Sequence, residues 1–182
     1  MDFKGHFAML NNDRCHPLTI LDDHSRYSLC IDAKNNEKWL NTKSSIEKVF
    51  CEYGLPSAIL CDNGNPWGDS QNGYSLFDLW MMRLNILPIH GRPLHPQTQG
   101  KEERFHRTMK NDLLSRVPIH NIEHAQKEFN SFRYCYNYER PHGALNLDVP
   151  AKHYKPSKRV YDNALYEPQY DDGDCLRKVN CK

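Results

Sequence analysis

The order in which strand-like and helix-like stretches follow one another constrains this chain most. Near the start, "HPLTILDD" and "YSLCIDA" are runs of apolar, β-branched and aromatic residues joined through the polar cluster "DDHSR". Such runs on either side of a turn-rich stretch predict a β-hairpin. "DFKGHFAML", ahead of them, reads as one more strand. "WLNTKSSIEKVFCEYG" then sets Trp39, Leu40, Ile46, Val49, Phe50 and Tyr53 at helical spacing, with Gly54 as the stop. From there helix and strand alternate. "PSAILCDNG" reads as a short buried strand running into a turn. "GYSLFDLWMMRLN" is an apolar helix, and "ILPIHGRP" another short strand. After the polar loop "HPQTQG", a helix is predicted from about Lys101 to Arg116. "NIEHAQKEFNSFRYCYNYER" gives a further helix, ended by Pro141. Antiparallel strands followed by alternating α and β units predict an α/β fold, a mixed sheet with helices packed on it.

At 182 residues, 38% of them hydrophobic and 26% charged, the chain can bury one real core but not two comfortable domains. No apolar run reaches the roughly 18 residues of a membrane span. "MDFKGHFAML" lacks a charged region followed by an apolar one, so no signal peptide is expected. The seven cysteines are scattered without a C-x-x-C, which predicts reduced thiols, a cytoplasmic protein and no structural zinc. The formal net charge is +1, but it is unevenly spread: residues 92–110 carry five Lys/Arg against two Glu, and residues 161–182 carry five acids against three bases. Positive charge is therefore focused around "HPQTQGKEERFHRTMK".

Three carboxylates stand at the ends of elements. Asp2 lies in the first strand, Asp62 where "SAILCDNG" leaves its strand, and Glu103 at the opening of the helix after the polar loop. Mg²⁺ takes hard oxygen ligands, with one or two carboxylates per ion. Two ions sharing a carboxylate clamp both oxygens of an in-line phosphoryl displacement. Blander readings exist for each acid: a turn residue for Asp62 in "DNG", a chain start for Asp2, a helix-dipole charge for Glu102 and Glu103. At about 100° per residue, Glu103, Arg107 and Lys110 share one narrow face, Phe105, Met109 and Leu113 share the opposite one, and Glu102 lies about 100° from Glu103. A Glu103–Arg107 salt bridge is the ordinary expectation for that face.

Taken in order, "MDFKG", "LTILDDHSRY", "LCDNGNPW", "HPQTQGKEERFHRTMK" and "YNYERPHGAL" resemble the integrase catalytic core of retroviral integrases and bacterial insertion-sequence transposases, from Asp2 to about Tyr154. The resemblance implies a ribonuclease-H-like mixed five-stranded sheet with helices on both faces. It implies a D,D,E triad, Asp2, Asp62 and Glu103, holding two Mg²⁺ or Mn²⁺, with Asp2 bridging both ions. Glu102 falls on the preceding position, and Asp22 and Asp23 match a hairpin position with no catalytic role. Gln99, Arg107 and Lys110 match positions that contact DNA in relatives, and Lys101 and Arg104 join them by charge. In the family the first strand begins before its Asp, whereas only Met1 precedes Asp2 here.

The implied activity is DNA cleavage and strand transfer, with transposon-end and target DNA as partners and at least a dimer at synapsis. The implied setting is a bacterial, nucleoid-associated protein without a membrane. The alternative is an impaired remnant that only binds DNA or assembles with partners. Residues 1–155 are expected to form the catalytic core and residues 156–182 a tail, which would begin a further domain.

Overall fold

The computed structural model describes residues 1–68, 73–91 and 100–163. Its elements are β1 (Asp2–Phe3), β2 (Phe7–Ala8), β3 (Arg14–Leu21), β4 (Ser28–Lys34), α1 (Trp39–Tyr53), β5 (Ala58–Cys61), α2 (Leu76–Arg83), β6 (Leu87–His90), α3 (Gly100–Met109), α4 (Ile122–Tyr138) and α5 (Pro150–His153). Lys110–Leu114 continue α3 as a π-helical turn, and Gly143–Leu145 form a 3₁₀ turn.

The predicted hairpin is β3–β4, antiparallel, with Asp22 closing its turn by accepting from the Ser25 amide at 2.7 Å and hydroxyl at 2.6 Å. The single strand expected over "DFKGHFAML" is broken in two. Gly5 takes φ +82°, a left-handed conformation that glycine adopts without strain, and both halves still pair with β3. The expected mixed α/β fold is present, but its strands are divided. β1, β2, β3 and β4 form a four-stranded sheet, and β5 and β6 a separate parallel pair. The division has a local cause. β1 is two residues long and forms no ladder with β5 among the described residues; beside it the Met1 amino group donates to the Leu60 carbonyl at 2.9 Å. Beyond that bond a gap of about 830 Å³ lies between the sheets, lined by Ile20, Leu21, Phe50, Ile59 and Leu60 among others.

Alternation along β3 builds a core on each face. Leu18 and Ile20 pack with Ile46 and Phe50 of α1, Phe77 of α2 and Trp67. Cys15 and Leu21 face the other way, onto Phe105 and Met109 of α3 and Phe129 of α4. The second core fixes how α3 is rotated, and that rotation decides which of its charges point inward. Cys61 belongs to the first core and Cys15 to the second, and these two thiols and that of the buried Cys30 are each pushed up to about 12 by burial and stay protonated. Among the described residues no helix is long and apolar enough to cross a membrane.

Residues 157–161, expected in the tail, are strapped along the end of α1. The Ser157 amide donates to the Tyr53 carbonyl at 2.9 Å, and the Leu55 amide to the Arg159 carbonyl at 2.8 Å. The Arg159 guanidinium donates to the carbonyls of Pro56 at 2.8 Å and Leu84 at 2.7 Å. Gly54 makes the strap possible. It sits at φ +79°, and a Cβ there would lie 2.7 Å from the Arg159 oxygen and 2.8 Å from that of Ser157. Gly54→Ala combines a strained backbone with two oxygen clashes. It should cost about 2 kcal/mol of stability in urea unfolding.

Candidate active site

Asp2 lies on β1 opposite Thr19 of β3. Asp62 follows β5 immediately, and the Met1–Leu60 hydrogen bond sets the two strand ends side by side. The "DNG" turn forms as expected, with Asp62 Oδ1 accepting from the Gly64 amide at 3.1 Å. The two aspartates act on each other. Desolvation, then the negative charges of Asp62 and Glu102, push the Asp2 carboxyl up to about 7 against the opposing pull of the Met1 amino group.

Helix α3 carries two adjacent glutamates, oppositely placed. Glu102 is 7% exposed and turned onto β3. Its Oε2 accepts from the Thr19 hydroxyl at 3.1 Å, and its Oε1 lies 3.2 Å from the Met1 amino group. That ion pair lacks hydrogen-bond geometry, so Oε1 is buried without a donor. Glu103 is exposed, one residue further round the helix. No salt bridge joins it to Arg107; among the described residues it has no ion-pair partner.

Around Asp2 lies a shell that sequence patterning did not single out. Thr19 is fully buried, and its hydroxyl also reaches the Asp2 carbonyl at 3.0 Å and His106 Nε2 at 2.8 Å. His106 is pushed down to about 4 by burial, then by the positive charges of Lys4 and the Met1 amino group. A neutral imidazole with its proton assigned to Nε2 donates to Thr19, which leaves Nδ1 facing Asp2 Oδ2 at 3.9 Å. Lys4 is itself pushed down by burial and by Lys110, which places it beside the basic face of α3.

Asp62 is held from behind by His90. The ring Nδ1 lies 3.0 Å from the Asp62 carbonyl oxygen, and Nε2 lies 2.6 Å from Oδ1 of the buried Asp78. A carbonyl and a carboxylate both accept, so both ring nitrogens donate and His90 is an imidazolium. Burial alone would lower its pKa, but the Asp78 hydrogen bond, the Asp62 carbonyl and both negative charges raise it. Asp78 is fixed in turn by the capping box of α2, where its Oδ2 accepts from the Ser75 amide and hydroxyl. The available signal was Ser75 three residues before Asp78 at a helix start. His90→Gln leaves Asp78 short of a strong donor and should cost about 2 kcal/mol. The stabilisation from His90 is present below about pH 6.5, the unfolded value, and is lost as pH rises through the raised folded value. The pH–stability curve of the variant should therefore lack that fall.

The remaining sites expected from sequence divide between two surfaces. Arg107 and Lys110 are exposed on the face of Glu103. Lys101 and Arg104 lie on another face of α3, Lys101 bonded to Asp23 of the β3–β4 turn. Gln99 lies outside the described residues. Among the described residues no three His, Cys, Asp or Glu side chains are arranged to hold one ion. The donor set nevertheless suits divalent ions that each take one or two carboxylates. The Asp2 carboxyl is raised by burial and then by the negative charges of Asp62 and Glu102, Glu102 Oε1 is an orphan, and every candidate ligand is a hard oxygen.

Two family profiles, both described as integrase core domain, match residues 1–96 and 84–150. A putative integrase of a Spiroplasma virus is 38% identical over 122 residues, covering 60% of this chain and 34% of that protein. An insertion element IS476 protein of Xanthomonas euvesicatoria is 24% identical over 145 residues, covering 80% of this chain and 40% of that protein. The chain thus spans about a third to two-fifths of the length of these relatives. Among solved structures, the HTLV-2 integrase catalytic core domain in complex with magnesium aligns with a TM-score of 0.61 at 16% identity, over 81% of this chain and 88% of that one. The BIV integrase catalytic core gives 0.60 at 18% identity, over 84% and 91%. With the profile match reaching from the Asp2 strand through the Asp62 turn, and the solved cores sharing its α/β architecture, the chain belongs to the integrase core domain family.

Proposed function

We propose that the chain carries out phosphoryl transfer on DNA, cutting the end of a mobile element and joining it to a target. The observation that carries this reading is the juxtaposition of Asp2 and Asp62 at neighbouring strand ends, close enough for one charge to raise the pKa of the other, beside the basic helix α3. Asp2, Asp62 and Glu103 are the proposed ligands of two Mg²⁺ or Mn²⁺, with Asp2 shared. Bound there, the ions supply Lewis-acid polarisation of the phosphodiester.

Glu103 is preferred to Glu102 for two reasons. Glu102 is committed inward, to Thr19 and the Met1 amino group. A ligand that must meet DNA phosphate oxygens belongs on a solvent-facing side chain, and Glu103 is exposed with no ion-pair partner among the described residues. Arg107 and Lys110, behind it on the same face, neutralise backbone phosphates. Their contribution to affinity falls with salt. Gln99 is proposed as a further DNA contact. In the joining step the 3′ oxygen of the cut end forms the new P–O bond in line, the target's own 3′ oxygen leaves, and the hydroxyl proton passes to solvent. Holding two ends at once calls for at least two copies of the chain.

The test incubates the full chain with a short duplex carrying the element's terminal sequence, a supercoiled plasmid and Mn²⁺. Nicked and joined products are expected. Neither product, with Mn²⁺ or Mg²⁺, would overturn the catalytic reading; duplex binding that persists would then favour the DNA-binding remnant.

A further inference from the structure

On the side of α3 away from Glu103 lies a cleft of about 420 Å³. Its walls come from three places: Lys101 and Arg104 on α3, Arg26 in the β3–β4 turn, and Arg140 with His142 just after α4. Tyr136, 6% exposed, forms part of the lining, with its ring packed edge-on against Phe105 and against His142. Helical geometry separates this face from the proposed catalytic one. Lys101, Arg104 and Thr108 fall about 120° round α3 from Glu103, Arg107 and Lys110.

The cleft brings four cationic side chains against two carboxylates. Asp23 takes Lys101, and its carbonyl accepts from Arg26 at 2.6 Å. Asp112 takes Arg140. Arg104 is exposed and has no ion-pair partner among the described residues. These bonds fix three of the four cationic side chains; Asp23 and Asp112 balance two of the four charges, and Arg26 and Arg104 keep theirs. His142 donates Nε2–H to the Tyr136 carbonyl at 3.2 Å, so its ring is held too. Arginines pinned at different heights around one cavity match tetrahedral oxyanions, which accept several N–H bonds at once.

We propose that this cleft is a second phosphate-binding site, taking the backbone of a DNA segment other than the one at the carboxylates. The inference rests on the DNA-joining reading. Joining needs two polyanions held close together, and their repulsion is offset only if each meets its own cations. α3 carries one set on each side, so the two segments run along opposite flanks of the same helix.

The test measures binding of the full chain to a duplex of about 30 base pairs by fluorescence anisotropy, in EDTA, across a salt series. Arg104→Ala, alone and with Arg26→Ala, is compared with Arg107→Ala/Lys110→Ala. Each set is expected to weaken binding about 10-fold and to flatten the salt slope by about one for each phosphate pairing removed. Arg104 is exposed and outside both cores, so its single variant keeps the result independent of folding. If the Arg104 and Arg26 variants match wild type while Arg107→Ala/Lys110→Ala binds weakly, the cleft is overturned and the DNA reading stands. If wild type binds no duplex, both fall. Phenylglyoxal modification of Arg104 and Arg140 separates the sources of phosphate. Protection by duplex supports the proposal, whereas protection by inorganic phosphate alone overturns it.

Discussion

Glu103→Gln should abolish strand transfer, by at least about 10³-fold, while Glu102→Gln keeps rates within about 10-fold of wild type. The expected loss at Glu103 is several kcal/mol, the size of removing a charged ligand from ions that stabilise transition-state charge. Asp2→Asn and Asp62→Asn should lose as much. Glu102 is a different case, because its carboxylate is spent on Thr19 and the Met1 amino group. Neutralising it removes one of the charges that raise the Asp2 pKa, so its variant should shift the pH–rate profile to lower pH rather than extinguish the reaction. The reverse result, an inactive Glu102→Gln beside an active Glu103→Gln, would move the third ligand one residue back. Circular dichroism on both variants separates lost chemistry from lost fold.

The second large effect concerns stability without DNA. The Asp2 carboxyl sits at about 7 in the folded protein, against 3.8 for an ordinary aspartate. The folded state therefore binds a proton that the unfolded state has released, and stability of the metal-free protein falls as pH rises from about 4 to about 7. The contribution is on the order of 4 kcal/mol at its full extent. Mn²⁺ must displace that proton, so it should stabilise strongly at pH 7.5, by about 2.7 kcal/mol at a hundredfold excess over Kd, and hardly at pH 5. Thermal unfolding in EDTA and in Mn²⁺ reads both. Asp2→Asn should raise the EDTA midpoint at pH 7.5 and erase the Mn²⁺ response. A wild-type midpoint unmoved by Mn²⁺ at pH 7.5 would remove the metal site from the proposal.

Much of the architecture was legible because periodicity reports directly on burial. The β3–β4 hairpin, α1, α2 and α4 fall close to where alternation and helical spacing place them. Phe105, Met109 and Leu113 are buried on one face of the helix that opens at Gly100. The misses have physical causes. Gly5 splits an apparent strand because a positive φ is invisible in a hydrophobic pattern. The division into two sheets depends on how few residues of β1 meet β5. The two glutamates could be separated by angle alone, but angle does not say which one packs. That follows from Thr19 and from the aromatic core beneath α3. His90 was overlooked because its role is built from a backbone carbonyl and a carboxylate twelve residues away, and only the cap that holds Asp78 leaves a motif.

The strap across the end of α1 has a mechanical consequence. Arg159 grips the chain on both sides of the parallel pair, at Pro56 just before β5 and at Leu84 just before β6. A pull on the chain beyond Tyr161 is thus delivered to the roots of both strands, one of which ends at Asp62. Displacing the strap therefore loosens the start of both strands together.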